Sequence, residues 1–546
     1  MLRAGVRMKV TSSSGPLSAQ AIAGNDVVLI GIDHERAAMP GIHGFGIERL
    51  DHTEGEHRWL PNRLRFTGAP AGAWTTDVNP LQTFLWGDYT AKPGHDYSYI
   101  VHSLAGTPGQ VLTSREEVTL PISTGQPGTQ GVWFNRGAIS SQAYAERFHN
   151  AEPQDVPNDA AWIWLSRGLE EALLAFIGRA LDASWELHGC FYEFQLPAVL
   201  DAFGVAARAG ASVKLIVDDG NPKNHDAVSS AGIGDLIALW RAHAKIPHNK
   251  FIVASHAGTP VAVWTGSTNV TLNGVFGQSN VGHSIDDPAI AAAYLAYWTR
   301  LLDDPPYSAL NDWVDANDPL PDDWPGGVSV VFSPHTHSAA LDRYAALFGG
   351  ATTIACGTFP FTLDSRFGDA LPGTHDALRY LLFEDAKAAA AAAEAVTDPK
   401  TAIVAGAFLP AGALAGFVEE MRNPLSTNVE YVHSKYLLID PLGDDPVVVT
   451  GSANFSVAST TGNDENMLVI RGNSAVAEAY LTEFMRLFDH YRFRYTLSLR
   501  PHDPTPGPQS GVVAAVGLDP TDAWWAKYYD EPGRARQREV LAGTAH

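Results

Sequence analysis

Two imidazoles, two ammonium groups and two carboxamides stand at matching places in this 546-residue chain. His248 and Lys250, with Ser267 and Asn269 downstream, recur 185 residues later as His433, Lys435, Ser452 and Asn454. The first copy reads His248-Asn249-Lys250-Phe251-Ile252-Val253 and then Gly266-Ser267-Thr268-Asn269. The second reads His433-Ser434-Lys435-Tyr436-Leu437-Leu438 and then Gly451-Ser452-Ala453-Asn454. Folded face to face, two such copies build one pseudo-twofold pocket for a phosphate. A phosphodiester is anionic and resists attack, so its cleavage needs a nucleophile, an acid for the leaving oxygen, and donors around the remaining oxygens. One neutral imidazole can attack phosphorus and become a phosphohistidine. The other can give its proton to the departing alcohol and then activate water. Two lysines supply compact charge and two asparagines neutral donors. The pattern holds no carboxylate cluster for a divalent ion, so neither metal nor other cofactor is expected.

The elements that carry these residues read as α/β. Leu169 to Ala180 and Val199 to Arg208 have helical apolar spacing. Leu187 to Phe194 and Val213 to Val217 read as buried strands. Such alternation predicts two repeats built on mostly parallel sheets, sandwiched by helices. The repetition extends beyond the motifs. Ala289 to Asp303 aligns with Ala475 to Asp489, eight of fifteen positions being identical. The expected repeats span 131–305 and 328–500, joined by a Pro-, Asp- and Trp-rich connection at 306–327. The alanine-rich run Ala386 to Val396 favours a plain helix.

Ahead of the repeats, residues 25–125 read as all-β. Runs at Val27 to Ile32, Phe45 to Leu50, Thr83 to Trp86 and Tyr97 to Val101 are separated by Gly, Pro and Asp. Pro93-Gly94 followed by Tyr97-x-Tyr99-x-Val101 resembles the late-strand signature of fibronectin type III-like sandwiches, which carry a buried tyrosine at a corner. Residues 1–24 are taken as a separate N-terminal segment and 123–131 as a linker. Pro501 to Pro508 reads as extended. After it, Trp524, Trp525, Tyr528 and Tyr529 are too aromatic for a free end, so 501–546 is expected to pack on the body or wall a cleft.

Composition sets limits. The net charge of −23 argues against a polyanion as main partner, because nucleic-acid binding leans on clustered Lys and Arg. Cys190 and Cys356 sit in apolar contexts and read as buried thiols, with no zinc or disulfide pattern. The N-terminus lacks the apolar core of a signal peptide, and no run reaches membrane-spanning length. A soluble, cytoplasmic monomer holding both motifs is the expectation, with peripheral membrane contact and export by another route left open.

The paired motifs resemble those of the phospholipase D superfamily, whose hallmark is a duplicated His-x-Lys-x4-Asp followed by Gly-Ser-x-Asn. The resemblance covers about residues 130–500. The second copy is complete, with His433, Lys435, Asp440, Ser452, Asn454 and then Glu465. The first departs from it: Ser255 stands in place of Asp, and Ser279 or its neighbour Asn280 in place of Glu465. In the family, the late carboxylate of one half supports the histidine of the other. Carried over, Glu465 would hold the ring of His248, making His248 the candidate nucleophile. His433, without such a carboxylate, becomes the candidate acid. Ser267 and Ser452 are expected to brace the loops, and Asp440 to be structural.

The resemblance implies a phosphodiesterase that hydrolyses a phospholipid head-group ester, or transfers the phosphatidyl group to another alcohol. A nuclease on the same scaffold is the second reading, disfavoured by charge. A non-catalytic binding or scaffold protein is the third, because the first motif has lost its carboxylates. Weaker site candidates lie on strand-to-loop edges: Arg136 after the first strand of one half, His335 and His337 after the matching strand of the other, and Tyr192 with Glu193 near the mouth. His335-x-His337 has no third ligand in view, so ordinary loop histidines are preferred to a metal pair. Asp218-Asp219-Gly220 reads as a turn.

Overall fold

The computed structural model describes residues 8–70, 72–126, 128, 130–372, 375–409, 418–426, 429–499 and 517–545. The proline-rich Pro501 to Pro508 lies outside them.

Two four-stranded antiparallel sheets form the N-terminal sandwich. One runs Lys9–Ser14, Leu17–Ala23, Val28–His34 and Leu85–Asp88; the other runs Glu56–Trp59, Ile42–Asp51, Asp96–Ala105 and Thr113–Ser123. Alternating residues such as Leu17, Ile30, Phe45, Tyr99 and Leu120 point inward and are buried. The corner tyrosine is Tyr97, whose phenol oxygen accepts the backbone N–H of Lys92 at 2.8 Å. The first two strands lie within the segment expected to precede the sandwich. They have few large apolar residues, and only pairing with Val28–His34 makes them part of the sheet.

Each α/β repeat carries a seven-stranded sheet, and both sheets are mixed rather than mostly parallel. In the first, Trp185–Phe191, Ser212–Asp218 and Ile237–Arg241 are parallel. Lys250–His256, Thr259–Gly266, Val281–Ile285 and Gln130–Phe134 add antiparallel. In the second, Ile354–Phe359, Leu378–Phe383 and Thr401–Ala405 are parallel, and Tyr436–Ile439, Val447–Gly451, Glu465–Arg471 and Gly327–Ser333 add antiparallel. The reason is loop length. The strand after each His-x-Lys returns through a short turn, which permits a hairpin but no helical crossover. Helices Pro288–Leu301 and Ser474–Ser498, the matching repeated segments, each touch strands of both sheets. Their buried aromatic residues, including Tyr294, Trp298, Tyr480 and Phe484, share one core. The expected connection contains a helix, Tyr307–Asn317, with Leu310 and Val314 in that core.

The C-terminal segment returns to the sandwich. Trp524 and Tyr528 join its core, and the Trp524 indole N–H donates to the Ile42 carbonyl at 2.9 Å. Helix Pro532–Ala542 lies so close to the strand Val28–His34 that a Cβ on Gly31 would stand 2.1 Å from the Leu541 carbonyl oxygen. Both cysteines are buried and free. Among the described residues, no helix is long and apolar enough to cross a membrane.

Candidate functional site

The histidines meet where the two sheets abut. His248 immediately precedes strand Lys250–His256, and His433 precedes Tyr436–Ile439. Each repeat stitches its late loop to the other repeat's histidine segment. The Asp464 N–H donates to the Ile246 carbonyl at 3.0 Å, and, in mirror fashion, the Ser279 N–H donates to the Tyr431 carbonyl at 2.7 Å. The glycine of each Gly-Ser-x-Asn permits a close approach. A Cβ on Gly266 would lie 2.2 Å from the Val281 oxygen, and one on Gly451 2.3 Å from the Asn466 oxygen. That approach brings each serine hydroxyl under the group that orients a histidine.

The orienting groups are crossed between repeats. His248 Nδ1 lies 2.8 Å from Glu465 Oε2, which also accepts the Ser452 hydroxyl at 2.7 Å. His433 Nδ1 lies 2.9 Å from Asn280 Oδ1, which accepts the Ser267 hydroxyl at 2.8 Å. Asn280 Nδ2 donates to the Gly274 carbonyl at 2.8 Å, which fixes the orientation of the amide. A carboxylate and an amide oxygen only accept, so both rings carry their proton on Nδ1. The Nε2 of each neutral ring is therefore left with a lone pair. The first-repeat counterpart of Glu465 is thus Asn280, which keeps the offset of 185 residues, and not Ser279. Asn463 donates to the second oxygen of Glu465 at 3.2 Å.

The lysines are deeply buried, Lys435 with no exposed surface and Lys250 at 3%. Each gives one N–H to the carbonyl of its own histidine. Lys250 also lies over the Tyr192 ring, 5.2 Å from its centroid, and that ring is 5.0 Å from His248. Asn269 donates to Glu193. The buried amide oxygens of Asn269 and Asn454 have no partner among the described residues.

Burial dominates the electrostatics. It pushes His248 down to about 4, although Glu465 opposes it. It pushes His433 lower than its ordinary value, helped by Lys435, Lys250 and His248, with no carboxylate in opposition. Lys250 falls to about 8, and Lys435 is pushed well down, in each case first by desolvation. Glu465 is held below the usual carboxylate range. Burial would raise it, but His248, Lys250 and Ser452 outweigh that. Both imidazoles are therefore pushed toward their neutral forms in the free protein, and of the two His248 has the carboxylate of Glu465 to oppose this. An anion bound between them would favour their charged forms again. Chemically, the arrangement can present one lone pair to an electrophile, return one proton, and hold an anion with ammonium and amide donors.

Of the weaker candidates, only Tyr192 and Glu193 join this cluster. Arg136 stacks on Trp164 at 4.2 Å and gives its Nε–H to the Trp164 carbonyl. His335 is buried, with Nδ1 2.7 Å from Asp315, and His337 is exposed. A strand-to-loop position places a residue at the right end of a sheet, but packing decides whether it turns inward. Asp218 accepts the N–H of Gly220 at 3.1 Å, closing its own turn. Among the described residues, no group of three or more His, Cys, Asp or Glu side chains is placed to hold a metal ion.

Asp440 serves the fold. Its carboxylate accepts the backbone N–H groups of Thr352, Thr353 and Ile354 and both threonine hydroxyls, tying the strand after His433 to the start of Ile354–Phe359. Burial would raise its pKa, but these donors hold it below the usual range. Its stabilising effect is therefore present above the ordinary carboxylate range and lost as pH falls through the lowered value. We expect Asp440→Ala to cost about 3 kcal/mol. The check is a lowered melting temperature, with turnover per folded molecule unchanged. Ser255, at the matching place, leaves its buried hydroxyl without a partner among the described residues.

A phospholipase D-like domain family described by cardiolipin synthase matches residues 176–302 and 401–488. No curated protein sequence matches the chain. Among solved structures, phosphatidylserine synthase of Haemophilus influenzae is 10% identical, with a TM-score of 0.42 over 70% of this chain and 94% of that one. The phospholipase D family member Nuc from Salmonella typhimurium is 23% identical, with a TM-score of 0.21 over 25% and 87%. Polyphosphate kinase of Porphyromonas gingivalis is 13% identical, with a TM-score of 0.34 over 57% of this chain. The match spans less than half, 46%, of that kinase.

Proposed function

We propose that this chain, which a phospholipase D-like domain family matches over residues 176–302 and 401–488, is a phosphodiesterase acting through a phosphohistidine on His248, with a phospholipid head-group ester as substrate. The observation that carries this reading is the crossed pair of supports, His248 on Glu465 and His433 on Asn280, at 2.8 and 2.9 Å. Glu465 fixes the tautomer of His248 and supports positive charge on it once its Nε2 has bonded to phosphorus. His433, protonated as the substrate anion enters, gives its proton to the leaving alcohol and then takes one from water or an acceptor alcohol. Lys250, Lys435, Asn269 and Asn454 are assigned to the non-bridging oxygens, where charge builds up. This donor set needs no added ion for that task.

A lipid is favoured by the surroundings. Leu272 and Val457, again 185 residues apart, are exposed three residues after Asn269 and Asn454, and Ile246 is exposed two before His248. The net charge of −23 points away from a polynucleotide.

Phosphatidylcholine vesicles, bis(p-nitrophenyl) phosphate and single-stranded DNA, each with and without chelator, separate the readings. Chelator-resistant release of a lipid head group is expected. Cleavage of DNA but not lipid makes the chain a nuclease, and no turnover by folded protein makes it a binding protein.

The amide at position 280 gives a pH test of the acid's identity. Asn280→Asp sets a carboxylate against His433 Nδ1 and raises its pKa, at the cost of the bond to Gly274. If His433 is the acid, the alkaline limb of kcat, which reports the substrate complex, moves up by about one unit. An unmoved or lowered limb assigns the acid elsewhere.

A further inference from the structure

Glu384 directly follows strand Leu378–Phe383, and its half-buried carboxylate faces the chain that enters the site. It accepts three consecutive backbone N–H groups, those of Glu430, Tyr431 and Val432, at 2.7, 3.0 and 2.6 Å. The next residue is His433. The same stretch accepts the Ser279 N–H at Tyr431, and the His433 N–H donates to the Ser279 carbonyl at 3.2 Å. It therefore also sets where Asn280 meets the His433 ring. Three successive N–H groups that converge on one point match neither a strand ladder nor a run of helical bonds, and one anionic group takes them all.

The first repeat has no counterpart. Strand pairing puts Val217 beside Phe191 and Phe383 beside Phe359, so Asp218 occupies the register of Glu384. Asp218 closes its own turn instead. The cradle thus serves one histidine only, the one whose ring lacks a carboxylate.

We propose that Glu384 is a positioning residue for His433, its carboxylate gathering the three amides that hold the imidazole in register with Asn280 and the phosphate. This rests on the phosphodiesterase reading above. Burial pushes Glu384 up to about 7 even against its three N–H donors, and the neighbouring Glu430 adds to the rise. Tyr431 and Tyr491, whose rings lie 5.7 Å apart, also border it, and Arg422 lies 3.6 Å from Glu430. The ionised carboxylate is the stronger acceptor, so kcat/KM, which reports the free protein, should fall as pH drops through that region. The imidazoles of the free site titrate lower.

The test is kcat and KM for bis(p-nitrophenyl) phosphate across pH. Glu384→Gln is expected to lower kcat about tenfold to a hundredfold, with KM within about threefold, and to abolish the limb near 7. Glu430→Gln removes a like charge but leaves the backbone donors, so it should shift that limb to lower pH with the plateau unchanged. Wild-type kcat, a retained limb or a change in KM alone in Glu384→Gln overturns the assignment. If that variant does not fold, an unmoved limb in Glu430→Gln does so. If the wild type cleaves no diester, the phosphodiesterase reading falls. Tungstate affinity by calorimetry then decides: about tenfold weaker binding in Glu384→Gln supports the cradle, and equal binding refutes it.

Discussion

His248→Ala is expected to lose turnover by about a thousandfold or more and to release no burst of p-nitrophenol from bis(p-nitrophenyl) phosphate. His433→Ala should behave differently. p-Nitrophenolate is a good leaving group and departs without a proton, so the first step survives the loss of the acid. The second step needs a base to activate water and stalls. One equivalent of p-nitrophenol is then released, and a phosphorylated protein accumulates. Peptide mapping should place the phosphoryl group on His248. The asymmetry comes from the supports. Glu465 can steady positive charge on His248, whereas Asn280 offers His433 only a dipole. A burst from His248→Ala, or label on His433, reverses the roles. No burst from either variant removes the covalent intermediate.

Deleting residues 8–125 should yield insoluble protein, or a chain whose cooperative unfolding is lost. The sandwich is not a detachable appendage. Ile22, Val27 and Leu29 share a core with Phe134, Tyr480 and Phe484 of the repeats. Arg167 of the first repeat is held at once by Asp26 of the sandwich and by Glu483 of the second repeat. Thr482 stands where a Cβ on Gly24 would lie, at 2.1 Å, so the surfaces touch backbone to side chain. The C-terminal segment would lose its seat as well, since Trp524 and Tyr528 are buried in the sandwich. Asp26→Ala gives a milder version. It leaves Arg167 with one carboxylate in a buried setting, at an expected cost of about 3 kcal/mol. Calorimetric unfolding checks both. A truncated chain that melts and turns over like the full one would show that the sandwich is dispensable.

Much of this site was legible because duplication leaves a constant offset. His248 and His433, Lys250 and Lys435, and Ser267 and Ser452 announce themselves by spacing alone. The same offset picks Asn280 over Ser279, although a reader looking for a carboxylate passes it by. Other features carry no such signal. Glu384 belongs to no motif, and its role rests on three amides that lie some fifty residues downstream. Arg136 and His335 occupy the expected strand ends, yet Trp164 and Asp315 take them up. The sequence pattern predicts mostly parallel sheets where the fold has mixed ones, because buried strands show the same apolar runs in either direction.

From the chain alone came the inventory of reactive groups, their pairing by repetition, the α/β character of the repeats and the β sandwich before them. These depend on residue type and on short-range periodicity, which a linear string records in full. The tertiary structure alone decided which partner each imidazole has, how far burial lowers the four titrating groups, and that the sandwich and tail close into one body with the repeats. Those properties arise from contacts between residues hundreds of positions apart and from exclusion of water, and neither is written in local sequence.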